Sequence, residues 1–118
     1  MEQSPEQLRE RTKAFAKRMI RLSPALPRSM EAQVIAKQLV RSGTSVGANY
    51  GAACRARSRN EFVAKLGIVV EEADETIYWL ELLGESEIVP MHCLREVVAE
   101  EHELTDIFTA AQHTIRSR

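Results

Sequence analysis

The chain has 118 residues and a mass of 13.3 kDa, enough for one domain with a real core and too short for two. Aromatic residues make up 5% of it and Gly and Pro number 5 and 4, so the turn signals of a sandwich or barrel are missing and the remainder favours helix. No apolar run approaches the ~20 residues that span a bilayer and no secretory leader pattern opens the chain, so a cytoplasmic, membrane-free protein is expected.

The formal net charge of −1 conceals an asymmetry. Residues 1–65 carry 13 Lys and Arg against 5 Asp and Glu, a balance of +8, whereas residues 66–118 carry 3 against 12, a balance of −9.

The first helix is expected over about 4–23. Ser4-Pro5-Glu6-Gln7 supplies a capping serine, a proline at the first helical position and a glutamine able to reach back to the cap. Leu8, Thr12, Phe15, Met19 and Leu22 then fall on one face, and Pro24 and Pro27 bracket a connector.

Ser29 can cap a second helix over about 29–54, with Ile35, Leu39, Ser42, Val46, Asn49 and Ala53 inward. Gly43, Gly47 and Gly51 recur every fourth residue in it, each costing about 1 kcal/mol relative to Ala. Either another backbone approaches closely, within the bundle or across a subunit boundary, or the helix breaks near Gly47. Ser42 and Asn49, polar on an inward stripe, need partners such as Thr12, Thr76 or a backbone carbonyl, and their role is to fix helix register.

Ser58-Arg59-Asn60-Glu61 reads as a capping box opening a third helix over about 59–84. Its seam runs through Phe62, Leu66, Val69, Ala73, Thr76, Leu80 and Leu83, while Ile68, Val70, Ile77, Tyr78, Trp79 and Leu82 lie off that line. One core does not need so wide an apolar surface, which points to another subunit. Gly84 is placed to cap the C-terminus, and Pro90 to open a fourth helix over about 90–116, with Leu94, Val97, Glu101, Leu104, Phe108, Ala111 and Ile115 inward. Four helices with short connections predict an all-α, up-down-up-down antiparallel four-helix bundle.

Chemistry is harder to find. Di-iron bundles need Glu-x-x-His motifs, and Val89, Ala99 and Ala110 stand three residues before His92, His102 and His113. The acidic stretch Glu71, Glu72, Asp74 and Glu75 therefore reads as a solvated or interface face. Cys54 and Cys93 lack metal-ligand spacing and are expected as small core residues. No nucleophile elbow, phosphate loop or dinucleotide fingerprint occurs. A protein with no catalytic site, no cofactor and no metal is expected.

Cations are the informative residues. Arg9, Arg11, Lys13, Lys17, Arg18 and Arg21 crowd the first helix, and Arg55, Arg57, Arg59 and Lys65 surround the turn before the third. In an antiparallel bundle that turn lies near the start of the first helix. Arg9, Arg11, Lys13, Lys17, Arg18, Arg55, Arg57, Arg59 and Lys65 are therefore the candidate nucleic-acid contacts, suited to phosphates through counterion release. The pI of 6.3 keeps the alternative open that these charges meet an acidic surface of a neighbouring subunit or partner.

Arg41-Ser-Gly-Thr-Ser-Val-Gly-Ala-Asn-Tyr50, Arg55-Ala-Arg-Ser-Arg-Asn-Glu-Phe62 and Glu71-Glu-Ala-Asp-Glu-Thr-Ile-Tyr-Trp-Leu80 resemble the bacterial four-helix-bundle proteins encoded in intervening sequences of 23S rRNA genes. The accessory variability determinant proteins of diversity-generating retroelements are similar in fold. The resemblance implies a ring-shaped homo-oligomer, typically a pentamer with a central channel, with Gly43, Gly47, Tyr50, Gly51, Tyr78 and Trp79 as expected interface residues. For the retroelement relatives it implies nucleic acid bound through a basic surface, and the basic patch of this chain makes rRNA or other nucleic acid the expected partner. In the retroelement branch it also implies a protein-interaction adaptor bound to a reverse transcriptase. That branch is strongly basic overall, and this chain is not, which favours the intervening-sequence branch.

Overall fold

The computed structural model describes residues 3–117, which form four helices and no strand. They are α1 (Pro5–Ala25), α2 (Met30–Cys54), α3 (Arg59–Glu85) and α4 (Met91–Arg116).

Local chemistry sets each start. The Gln7 N–H donates to Ser4 Oγ at 3.1 Å and the Ser4 N–H donates to Gln7 Oε1 at 2.9 Å, a complete capping box ahead of Pro5. Ser29 and Ser58 accept from the N–H groups of Ala32 and Glu61. At Ser58 the expected box is half made, because the Glu61 carboxylate instead accepts from the Arg57 N–H at 3.2 Å. Pro90 leads into α4 with no side-chain cap.

Two ends differ from expectation. α1 continues through Pro24 to Ala25, since a proline in the last turn removes only its own bond to the turn before. Gly84 does not cap α3 either. It stays within the helix, buried against Met91, and Glu87 takes the left-handed conformation with φ 58°. Ile88 N–H then donates to Leu83 O at 3.0 Å and Glu87 N–H to Gly84 O at 3.1 Å, closing a Schellman turn.

Consecutive helices pack on one another, α1 and α4 close the bundle more sparsely, and α1 and α3 stand at opposite corners without meeting. Thr12 faces Gly47 where Met19 faces Gly43, and Glu81 faces His102 where Arg59 faces Ile115, so neighbours run in opposite directions. The body measures 46 × 25 × 21 Å.

The inward stripes build the core from Phe15, Met19, Leu39, Leu66, Leu80 and Phe108, each at most 1% exposed. Burying each such side chain contributes about 1.5–3 kcal/mol. α2 is unbroken through its three glycines, so no break occurs near Gly47. A methyl group at Gly43 would lie 2.5 Å from Met19 Cγ, and one at Gly47 would lie 3.2 Å from Thr12 Oγ1. Close approach of α1 offsets the helical cost of these two glycines. The cysteines depart from expectation: Cys54 is only partly buried and Cys93 is exposed, since it lies just off the stripe that begins at Leu94.

Candidate functional site

α1 carries the densest positive charge, with six Lys and Arg against two Glu, while α3 carries two against seven Asp and Glu. The two helices occupy opposite corners, so the two charge surpluses sit on opposite sides of the molecule.

The cations predicted to act together divide by helix face. Residues four apart lie along one ridge, whereas residues two apart point about 200° from each other. Arg9, Lys13, Lys17 and Arg21 follow each other at intervals of four and all are exposed. At a rise of about 1.5 Å per residue they span ~18 Å. Among the described residues none of the four enters an ion pair. Arg18 lies beside them, partly buried. Arg21 belongs to this row although the expected contacts stopped at Arg18; the four-residue spacing was the available signal.

Arg11 points elsewhere. Its guanidinium donates to both oxygens of Glu100 at 2.8 Å, pairs with Glu103 at 3.0 Å and donates to Gln3 Oε1 at 2.7 Å. Its pKa is raised, chiefly by the bond to Glu100. Arg11 ties α1 to α4 and is removed from the candidate phosphate contacts. Arg59 is likewise committed, donating to the Ile115 carbonyl in the last turn of α4, where the helix presents unpaired carbonyls.

At the start of α1, Arg9 lines a groove of about 630 Å³ between α1 and α2, together with Glu6, Glu10, Lys13, Gly47 and Gly51. Arg55 reaches the same place, its Nη1 lying 3.4 Å from where a methyl on Gly51 would stand. Arg9 and Arg55 thus converge on Gly51, and Arg57 lies exposed in the adjoining turn. Lys65 sits on α3, half-buried.

The expected interface residues also separate. Gly43 and Gly47 turn towards α1 of the same chain. Tyr50 lies in the core, 6% exposed, with its ring 5.0 Å from that of Phe108. Its phenol is pushed up to about 12, mainly by burial and then by Cys54. These three are filled within the subunit. Gly51 flanks Arg55 rather than an apolar neighbour. Tyr78 remains open, 55% exposed, edge-on to Trp79 at 5.0 Å, and Trp79 Nε1 donates to Glu75 at 3.2 Å.

The acidic stretch on α3 is partly neutralised by Arg41, which pairs with Glu72 at 3.1 Å and with Glu75. Among the described residues no group of His, Cys, Asp and Glu is placed to hold a metal. No described helix is long and apolar enough to cross a membrane.

One polar layer crosses the core. Thr76 Oγ1 lies 2.8 Å from Ser42 Oγ and 2.8 Å from Glu72 O, and Ser42 donates to Gln38 O at 2.9 Å. Asn49 finds the backbone carbonyl that was one of its expected partners, but not from a fully buried position. It is half-exposed and its amide donates to Ser45, to O at 3.0 Å and Oγ at 2.9 Å. Glu101 lies in the core fully buried, and neither carboxyl oxygen has a hydrogen-bond partner among the described residues. Burial first, then Glu100 and Asp74, raise it from the ordinary 4.5 to about 9, with Thr76 moderating the effect. Periodicity put Glu101 on the inward stripe and said nothing of its partners.

A family model described as 23S rRNA-intervening sequence protein matches residues 6–110. A crystal structure of a protein of unknown function, from the S23 ribosomal protein family and from Bacteroides thetaiotaomicron, is similar with a TM-score of 0.85 and 33% identity, over 92% of this chain and 97% of that one. No curated protein matches the chain.

Proposed function

The chain belongs to the 23S rRNA-intervening sequence protein family, and on that premise we propose that it is a cytoplasmic, non-enzymatic, homo-oligomeric bundle that holds RNA by its phosphates along α1. The row Arg9, Lys13, Lys17 and Arg21 carries this reading: four exposed cations on one ridge, unpaired among the described residues and extended by Arg55 and Arg57 around Gly51. A line of charge with no shaped, dry pocket behind it suits a polyanion better than a small substrate. The family's description supplies the reason to favour RNA.

Self-association is the second part of the proposal. Tyr78 and Ile68 leave apolar surface exposed on α3, at the corner away from α1. A ring of five chains built through α3 leaves the α1 ridge open to RNA.

Light scattering tests both parts. A mass near five chains of 13.3 kDa, increasing with a short structured RNA at low salt and returning to the ring's mass at moderate salt, is the expected result. A monomer indifferent to RNA at every salt overturns both. A ring that ignores RNA yet captures a reverse transcriptase would assign the ridge to protein contact, as in an adaptor.

A further inference from the structure

We propose that Glu101 is a proton-operated latch: the bundle seats α4 with this carboxyl protonated, and ionisation of Glu101 loosens the fold.

The geometry gives the charged form little to interact with favourably, Thr76 alone acting against its burial. Glu101 is 0% exposed and both its oxygens are shut away from water without a partner among the described residues. A buried carboxylate in this state is costly, whereas the neutral acid is tolerated.

The charges acting on it, Asp74 and Glu100, are both acids, and Thr76 opposes them only in part. From α3 come Asp74, a carboxyl, and Thr76, a hydroxyl; from α4 itself comes Glu100. Ser42 of α2 meets Thr76 and already donates to Gln38 O. On α4, Thr105 donates to the backbone carbonyl of Glu101 at 2.7 Å, leaving the side chain unserved. α1 contributes Arg11, whose guanidinium is held by Glu100 and Glu103. The remaining charged neighbour pair on the α3–α4 seam, Glu81 and His102, is exposed and 4.0 Å apart. Among the described residues no cation pairs with Glu101.

Proton counting reaches the same state. Thr76 has one hydroxyl proton and two acceptors within 2.8 Å, Ser42 Oγ and Glu72 O. It cannot serve a carboxylate without abandoning both. A protonated Glu101 instead makes no demand on the Thr76 proton, and the chain Thr76 to Ser42 to Gln38 O stays complete with one proton per link.

The sign of the linkage is opposite to that of an ordinary surface carboxylate. Folding takes up a proton wherever the unfolded chain has Glu101 ionised and the bundle has it neutral. The folding constant is therefore highest in acid and falls as pH rises from the unfolded value near 4.5 towards the folded value near 9. One proton gives at most about a tenfold loss per pH unit. The steep part of the window includes neutral pH, so acidification tightens the bundle.

The test is denaturant unfolding of the full chain at pH 5, 6, 7 and 8, compared with Glu101→Gln, which keeps the shape and cannot ionise. The folding constant of the unaltered chain should drop steeply with pH relative to the variant, which removes background from histidines and surface carboxylates. Parallel profiles overturn the proposal. Should Glu101→Gln not fold, calorimetric unfolding of the unaltered chain at pH 7 in buffers of different ionisation enthalpy decides: release of close to one proton per chain from this buried acid supports the latch, and none overturns it.

Discussion

α1 meets its two neighbours by opposite means. Against α2 it closes by deleting side chains: Gly43 and Gly47 leave room for Met19 and Thr12, and the backbones draw together. Against α4 it closes by adding charge, with Arg11 bridging to Glu100 and Glu103. Beyond that bridge the seam opens into a groove of about 870 Å³ bordered by Leu8, Phe62, Ile107 and Ile115. The first seam depends on shape, so it is intolerant of added volume. The second depends on long, partly solvated side chains, and it gives way gradually.

The largest effect should come from filling the glycine seam. Gly43→Val places branched carbons where even a methyl would lie 2.5 Å from Met19 Cγ. Despite the gain in helix propensity, overpacking should cost about 3 kcal/mol in chemical denaturation. A loss below about 1 kcal/mol would mean that α1 moves aside easily and that the seam is not set by shape.

Breaking the charged seam should cost less. Arg11→Ala removes bonds to two carboxylates that retain access to water, the Arg11 side chain being 19% exposed and those of Glu100 and Glu103 24% and 64%. A loss of about 1–2 kcal/mol is expected in the same unfolding measurement. No loss would reduce Arg11 to an ordinary surface cation.

The third glycine sharpens the contrast. A methyl on Gly51 would meet only the Arg55 side chain at 3.4 Å, an ordinary contact. Gly51→Ala should therefore stabilise the chain by about 0.5–1 kcal/mol, read as a raised midpoint, because helix propensity acts there unopposed. Two glycines of one evenly spaced row would then give effects of opposite sign.

What could be read from sequence follows this division. Caps and inward stripes are local, so Ser4 with Gln7, and Leu39 or Leu104 on their stripes, were legible from spacing alone. Whether Gly43 faced a neighbouring helix or a neighbouring subunit was not, since either supplies a close backbone. Arg9 and Arg11 looked like one cluster because they are close in sequence; their faces differ by two helical steps, and Arg11's destination depended on acids far along the chain, Glu100 lying 89 residues away. Cys93 could have been placed outside, since it adjoins Leu94 on the stripe rather than lying on it. Free cysteine's general preference for burial outweighed that spacing. Glu101 was legible as inward, but its protonation depends on Asp74, Glu100 and the already committed hydroxyls around it.

The division between a structural arginine and a functional ridge is tested most directly by the salt dependence of RNA affinity in two variants. In the unaltered protein, four ridge contacts with single-stranded RNA give a slope of log affinity against log salt near −3, about −0.7 for each phosphate. Replacing Arg9, Lys13, Lys17 and Arg21 together by alanine should flatten that slope and leave the fold intact. Arg11→Ala should weaken the fold and leave the slope unchanged. If Arg11→Ala flattens the slope while the fourfold variant binds as before, the ridge is not where RNA is held.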